Sequence, residues 1–123
     1  MTRSERLARV KDRYLRDNHS ARLGGLAANL ARIQSFSSHS GHRQAVEDLI
    51  VESEHFIEWL APSTDLSALE RLAMVQLELA EWRCGLNDLW QDEVKREHMA
   101  ETAQQRSQEL LEMSGLLGET GRS

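Results

Sequence analysis

The sequence predicts an all-α protein, an antiparallel four-helix bundle with an additional basic amphipathic helix at its N-terminus. A chain of 123 residues with seven glycines and one proline has too few breakers for a fold built from many short strands. Apolar residues make up 40% of the chain and recur at intervals of three and four, which is the helical spacing. The joins between these periodic segments are short, and short joins make successive helices antiparallel neighbours.

The first predicted element is a basic helix over about Arg3–Asp17. Its apolar positions, Leu7, Val10, Tyr14 and Leu15, form a narrow stripe between charged faces. Residues 1–22 hold seven basic and three acidic side chains, which gives a net charge of +4. Because the whole chain carries −5, the remaining residues carry −9. We expect a basic arm in front of an acidic body.

The bundle is predicted from four further segments, which cover about residues 21–37, 42–61, 66–90 and 93–117. Pro62 ends the second of these, because the residue before a proline is pushed out of the helical conformation. Asp65 and Asp92 stand where N-caps of the last two helices are expected. Gly115 and Gly118 are candidates to end the last helix.

One apolar seam on each of these four helices is predicted to form the core. The seam positions are Leu23, Leu26, Ala27, Leu30, Ile33 and Phe36; Val46, Leu49, Ile50, Phe56, Ile57 and Leu60; Leu69, Leu72, Val75, Leu79, Trp82, Leu86 and Leu89; and Val94, Met99, Ala103, Leu110 and Leu117. Ser53 falls in the middle of the second seam. The Gly24–Gly25 pair lies inside the predicted helix over residues 21–37 and is expected to let a neighbouring backbone approach closely.

The predicted organisation is a helical arm over residues 1–18, a bundle over 19–118 and a frayed end over 119–123. A single cysteine excludes an intramolecular disulfide and is typical of a reducing compartment, so we expect a cytoplasmic protein. No apolar run reaches the roughly 18 residues that span a bilayer. The basic N-terminus lacks the apolar stretch of a signal peptide.

Two small clusters have side chains that bind metals. His39 and His42 are three residues apart near a helix start, and imidazoles at this spacing suit zinc or nickel. Glu52 and His55 form Glu-x-x-His, the motif that occurs twice in di-metal bundles and once here. The alternative for the first pair is a polar loop with Ser40 as a helix cap, and for the second pair a solvated helix face.

Two further residues have chemistry that depends on their surroundings. Cys84 would act as a nucleophile only beside a base, and its place between core positions predicts a small buried side chain instead. Arg106 lies near the buried side of the last helix. There it is a candidate to form a structural ion pair with a carboxylate of Glu58, Glu78 or Glu81, and the alternative is a solvated charged face.

We find no Gly-x-Gly-x-x-Gly, Walker, Gly-x-Ser-x-Gly, zinc-finger or EF-hand motif. The sequence therefore predicts a non-enzymatic interaction or adaptor protein without cofactor, which self-associates as a homodimer or binds a protein partner. An exposed Trp59 or Trp90 would mark a partner site, because tryptophan is enriched among interface anchors. The expected partner contacts are Arg6, Leu7, Arg9, Val10, Arg13, Tyr14, Trp59 and Trp90.

Two alternatives remain open. One is a metal-binding bundle or metal-dependent enzyme that uses His39, His42, Glu52 and His55. The other is a nucleic-acid accessory protein that works through the arm. Three acidic residues interrupt the arm and the isoelectric point is about 5.5, whereas nucleic-acid binders tend to be basic. A membrane surface is disfavoured because the arm's apolar stripe is thin and holds no Trp or Phe.

Overall fold

The computed structural model describes residues 2–115, which form an all-α structure as predicted. Helices cover 91% of these residues, and none of them is in a strand. The five α-helices are α1 Arg3–Arg16, α2 His19–Phe36, α3 Arg43–Leu60, α4 Leu66–Gln91 and α5 Glu93–Ser114. Two single 3-10 turns, Ser40–His42 and Ala61–Ser63, precede and follow α3.

Polar side chains cap four of the five helices at their N-termini. Thr2, Asn18, Asp65 and Asp92 each accept a hydrogen bond from a backbone N–H in the first turn of the helix that follows. These caps satisfy N–H groups that have no partner inside the helix. At the other end of α5, Gly115 takes a left-handed conformation with φ of 80°, so it ends this helix as predicted.

The helices α2, α3, α4 and α5 form a ring in which each packs on the next and α5 packs on α2. Arg96, near the start of α5, donates to the carbonyl of Ser37, just after the end of α2. Midway along both helices, the Ser107 hydroxyl donates to the carbonyl of Ala27 at 2.7 Å. These contacts run in opposite directions along the two chains, so α2 and α5 are antiparallel.

The same reversal relates α4 to its two neighbours. Arg43, the first residue of α3, hydrogen-bonds Asn87 near the end of α4. Arg71, near the start of α4, lies 3.6 Å from the Glu109 carboxylate near the end of α5. Successive helices therefore run antiparallel, as the short joins predict.

The core contains most of the predicted seam. The buried apolar residues are Tyr14, Leu23, Leu26, Ala27, Leu30, Ile33, Val46, Ile50, Phe56, Ile57, Leu60, Leu72, Val75, Leu79, Trp82, Leu86, Trp90, Met99, Ala103 and Leu110. Phe36, Leu49 and Leu89 are partly buried against this cluster. Leu117, Gly118 and the predicted frayed end at 119–123 lie outside the residues that the structure describes.

Two predictions of burial are wrong, and helical phase explains both. Val94 is 75% exposed, and Cys84 is also exposed. Leu15 of the α1 stripe is 39% exposed. At about 100° of rotation per residue, a position two residues from a core residue lies on the opposite face of the helix. Cys84 stands in this relation to both Trp82 and Leu86. Around its helix axis, Val94 is about 140° from the core residue Met99, and Leu15 is about 100° from Tyr14.

The helix α1 lies outside the ring and runs alongside α3 in the same direction. Its first turns stand near the start of α3, and its last turn reaches Phe56 near the end of α3. Gly25 of α2 faces this contact, and a Cβ there would lie 3.4 Å from the ring of Tyr14, about van der Waals distance. The close approach that was predicted at Gly24–Gly25 therefore involves an aromatic ring rather than a backbone.

None of the helices within residues 2–115 combines the length and the apolar character that crossing a bilayer requires.

Candidate functional site

Tyr14 anchors α1 to the bundle. Its ring stacks on Phe56 with centroids 4.0 Å apart and planes 12° from parallel. Its hydroxyl donates to the carbonyl of Arg22 at 2.7 Å. Burial of this phenol raises the pKa of Tyr14 well above its ordinary value. The basic arm thus packs on its own chain.

Arg22 of α2 closes the joint between α1 and α2 from the other side. Its guanidinium donates to the carbonyl of Asp17 at 2.9 Å and to that of Leu15 at 2.8 Å. These are carbonyls at the end of α1, which lack helical partners. Tyr14 therefore bonds the backbone of Arg22 while Arg22 bonds the backbone around Tyr14, and the two-residue link between the helices is held from both sides.

Trp59 of α3 extends the contact with α1. It is half-buried, and its ring lies 6.0 Å from that of Tyr14. The ammonium group of Lys11 lies 5.8 Å from the centre of the Trp59 ring, a cation–π distance. His55 stacks on the same ring at 5.6 Å. Most of this tryptophan therefore contacts its own chain.

Trp90 lies inside the bundle. It is only 6% exposed, its indole N–H donates to the carbonyl of Ser40 at 2.7 Å, and the guanidinium of Arg96 lies 5.3 Å from its ring. The exposure that would mark a partner site is absent at Trp90. The backbone carbonyl of Ser40 accepts this hydrogen bond. The side chain of Ser40 does not cap α3, and no other side chain caps the N-terminus of this helix. The expected partner contact at Trp90 therefore has very little accessible surface.

The first turns of α1 stand away from α3 and leave a groove of about 690 Å³ between the two helices. Its lining residues are Arg3, Arg6, Leu7 and Val10 on one wall and Gln44, Glu47, Asp48, Val51, Glu52 and His55 on the other. One wall is cationic and the other is largely acidic. No ion pair bridges the two walls among residues 2–115.

Four arginines of α1 form a row that we call the arginine ridge: Arg6, Arg9, Arg13 and Arg16. Their spacing of three, four and three residues places them along one stripe of the helix. All four are exposed, and within the part of the chain that the structure describes none of them bonds a carboxylate.

The arginines of the bundle behave differently. Each of the seven within residues 17–115 forms a hydrogen bond or an ion pair with another residue: Arg22, Arg32, Arg43, Arg71, Arg83, Arg96 and Arg106. The unpaired guanidinium groups are therefore concentrated on the arm. The excess positive charge at the N-terminus is visible in the sequence, but the pairing state of each arginine depends on the fold.

Arg106 forms the predicted ion pair, and its partner is Glu78. Two parallel hydrogen bonds join them at 2.7 and 3.1 Å, and Glu109 accepts a further one at 2.8 Å. The hydrogen bond with Glu78 raises the pKa of Arg106 above its ordinary value. In the same way, the hydrogen bond from Arg83 to Glu54 raises the pKa of Arg83. Both contacts join neighbouring helices.

The four candidate metal ligands do not come together. The rings of His39 and His42 lie 5.4 Å apart at the start of α3. Glu52 accepts a hydrogen bond from Asn29, and His55 stacks on tryptophan about 20 Å further along α3. Within residues 2–115 no three His, Cys, Asp or Glu side chains are grouped closely enough to hold a metal ion.

A second surface was not predicted. On α4, Leu66, Met74 and Leu77 are 76%, 58% and 62% exposed. They share the side of the helix opposite its buried seam with three acidic residues. We call this surface the outer face of α4: Leu66, Glu70, Ala73, Met74, Leu77, Glu81, Cys84 and Asp88. The spacing of Leu66, Ala73 and Leu77, seven and then four residues, is the signal that would have revealed it.

Comparison of the chain with protein-family models, with curated proteins and with solved structures gives no significant match.

Proposed function

We propose that this protein is a cytoplasmic, non-enzymatic interaction protein that binds an acidic surface of a protein partner through the arginine ridge. One observation carries the proposal. Every arginine of the bundle within residues 17–115 is engaged with its own chain, whereas the ridge arginines are exposed and engage no carboxylate there. Arg13 and Arg16 lie in the last turn of α1, where positive charge favours the helix, but no carboxylate of residues 2–115 pairs with any of the four ridge arginines.

Arginine suits carboxylate recognition because its planar guanidinium matches a carboxylate with two parallel hydrogen bonds. The chain itself provides an instance in the Arg106–Glu78 pair. The spacing of the ridge suits a partner helix with acidic side chains at similar intervals. Rows of charge also steer association by raising the rate of encounter with a surface of opposite sign.

A protein surface fits this ridge better than nucleic acid does. Glu5 and Asp12 lie on the same helix, and Glu47 and Asp48 line the opposite wall of the adjoining groove. These carboxylates would repel a phosphate backbone, which carries a negative charge about every 1.7 Å along a duplex. A folded protein can place its acidic groups selectively and avoid them.

Binding of full-length protein to poly-L-glutamate tests the proposal, with duplex DNA as the competing probe. The quadruple variant Arg6→Gln, Arg9→Gln, Arg13→Gln, Arg16→Gln should bind polyglutamate about tenfold more weakly, since four exposed ion pairs contribute roughly 0.3–0.5 kcal/mol each. The quadruple Arg→Lys variant keeps the charge and should retain most of the affinity.

Equal polyglutamate binding by the glutamine variant would refute the proposal. Retention on duplex DNA at physiological salt, with none on polyglutamate, would replace it with the nucleic-acid accessory role. Circular dichroism of each variant checks that helical content is unchanged.

A further inference from the structure

We infer that the outer face of α4 is a docking surface for the arginine ridge of a second copy of this chain. The inference rests on the proposed function of the ridge and names its partner. The two surfaces lie on different helices: the outer face of α4 is apolar and acidic, and the ridge on α1 is basic. Neither surface has a partner within the described part of its own chain.

The outer face of α4 has the composition of a contact surface. The buried seam of α4 already faces α3 and α5, so the exposed leucines on the opposite side have no neighbour within their own bundle. Leu66, Met74 and Leu77 lie within three turns of one another. An exposed apolar patch of this kind, bordered by polar residues, is typical of protein–protein contact sites.

The charge of this face is negative throughout. Glu70, Glu81 and Asp88 are exposed and form no ion pair among residues 2–115. The nearest arginines do not neutralise them, because Arg71 pairs with a carboxylate of α5 and Arg83 with one of α3. The partner that fits must therefore bring positive charge.

This condition argues against pairing of two α4 helices. A symmetric contact between two copies of this face would bring six unpaired carboxylates together, and like charges across an interface are unfavourable. The apolar residues alone favour such a contact, but the acidic residues among them oppose it. A basic helix satisfies both requirements.

The arginine ridge matches, in length and chemistry, the part of the face between Glu70 and Glu81. Arg6 to Arg16 spans about 15 Å, and Glu70 to Glu81 spans about 17 Å, at 1.5 Å per residue. Arginine side chains can also cover apolar surface with their methylene stems while the charged groups remain hydrated, so they can pack over Leu77.

The contact must come from another copy. Tyr14 holds α1 against α3 by stacking and hydrogen bonding, and no ridge arginine bonds a carboxylate of its own α4. Each copy carries one ridge and one outer face. Two copies can therefore pair reciprocally about a twofold axis, each ridge on the other's outer face, or the contact can repeat head to tail in a ring or an open chain.

Sedimentation velocity of the full-length protein tests this inference through charge reversal. The wild-type protein should associate at low salt and millimolar concentration and dissociate as salt rises. The ridge variant Arg9→Glu, Arg13→Glu and the face variant Glu70→Lys, Glu81→Lys should each remain monomeric. An equimolar mixture of the two should associate again, because each reversed patch then meets its complement in the other variant.

The control reverses the same number of charges elsewhere. Glu97 and Glu101 are exposed on α5 and lie outside the outer face of α4, so Glu97→Lys, Glu101→Lys should associate as the wild type does. Monomeric wild-type protein under all these conditions, or a mixture that fails to associate, would overturn the inference. In that case, polyglutamate binding that still depends on the ridge would leave the proposed function intact, and loss of that binding as well would remove both.

Discussion

Ser53 lies in the middle of the buried seam of α3, where its hydroxyl is fully buried and bonds nothing in the described part of the chain. Ser107 of α5 is the opposite case, because its buried hydroxyl donates to the carbonyl of Ala27 at 2.7 Å. A buried polar group without a partner costs free energy, whereas a bonded one contributes stability. The two serines therefore differ in the sign of their contribution.

We predict that Ser53→Ala raises the free energy of unfolding by about 1 kcal/mol, because it removes an unbonded hydroxyl and places a better helix former in α3. Ser107→Ala is the matched control and should lower the free energy of unfolding by about 1 kcal/mol, because it removes a bonded hydroxyl. Urea denaturation followed by circular dichroism measures both. If Ser53→Ala destabilised the protein as much as Ser107→Ala, the Ser53 hydroxyl would have to be bonded.

For a single residue, the sequence predicts the side of the helix on which it lies more firmly than it predicts the residue that it contacts. Arg106 was expected to meet one of three carboxylates, and helical spacing placed it on the correct side, but the choice of Glu78 depends on how α4 and α5 align. The prediction that Cys84 is buried is wrong because its core neighbours Trp82 and Leu86 lie on the opposite side of the helix.

The docking of α1 depends on one side chain that can be followed directly. Tyr14 is the chain's single tyrosine, so its ionisation is free of overlap from other tyrosines. Unfolded tyrosine ionises near pH 10, whereas burial raises the pKa of Tyr14 in the folded protein. Above about pH 10 the unfolded chain loses a proton that the folded chain retains, so the free energy of unfolding falls as pH rises there.

We predict that the tyrosinate absorbance of the native protein appears at clearly higher pH than that of the protein in concentrated urea. Spectrophotometric titration of both samples measures the difference, with circular dichroism to report whether the helices persist. Coincident titration curves would mean that Tyr14 is accessible to water and that α1 is not held as described.

For α1 as an element, the sequence predicts the helix, its apolar stripe and its charge. It does not predict that the stripe lies on α3 in parallel orientation, because periodicity identifies an apolar face without identifying the neighbour. The sequence does not predict the outer face of α4, for a related reason. When a helix has apolar residues on two sides, only the packing of the other helices decides which side is buried.

The molecule as a whole is a closed ring of four helices with α1 outside it. Of the buried apolar residues, only Tyr14 comes from α1, and the other nineteen lie on α2 to α5. The ring should therefore persist without the arm. The boundary of the arm at residue 18 stays a prediction, which the same experiment tests.

We predict that a chain beginning at Asn18, which keeps the cap of α2, folds cooperatively with unchanged helicity per residue. It should be less stable by roughly 3 kcal/mol, the usual cost of removing a large aromatic side chain from a core. Thermal and urea unfolding of this truncation measure the effect. Gradual, non-cooperative unfolding would show that α1 is part of the core.

The fold of the whole molecule was predictable from three- and four-residue spacing and from short joins, because these fix helices and their reversals. The sequence does not predict that α5 packs on α2 or that the ridge arginines are unpaired, because both depend on contacts between residues far apart in sequence. The charge asymmetry, +4 over residues 1–22 against −9 for the rest, pointed to the arm but not to its geometry.

The joint between α1 and α2 has a thermodynamic consequence for recognition. A basic segment that is disordered before binding must give up its conformational entropy when it binds, and this weakens its affinity for a given set of contacts. Here the reciprocal hydrogen bonds of Tyr14 and Arg22 fix α1 in the folded chain. The ordering entropy is lost during folding, so in the proposed complex more of the free energy of each guanidinium contact would remain available for affinity.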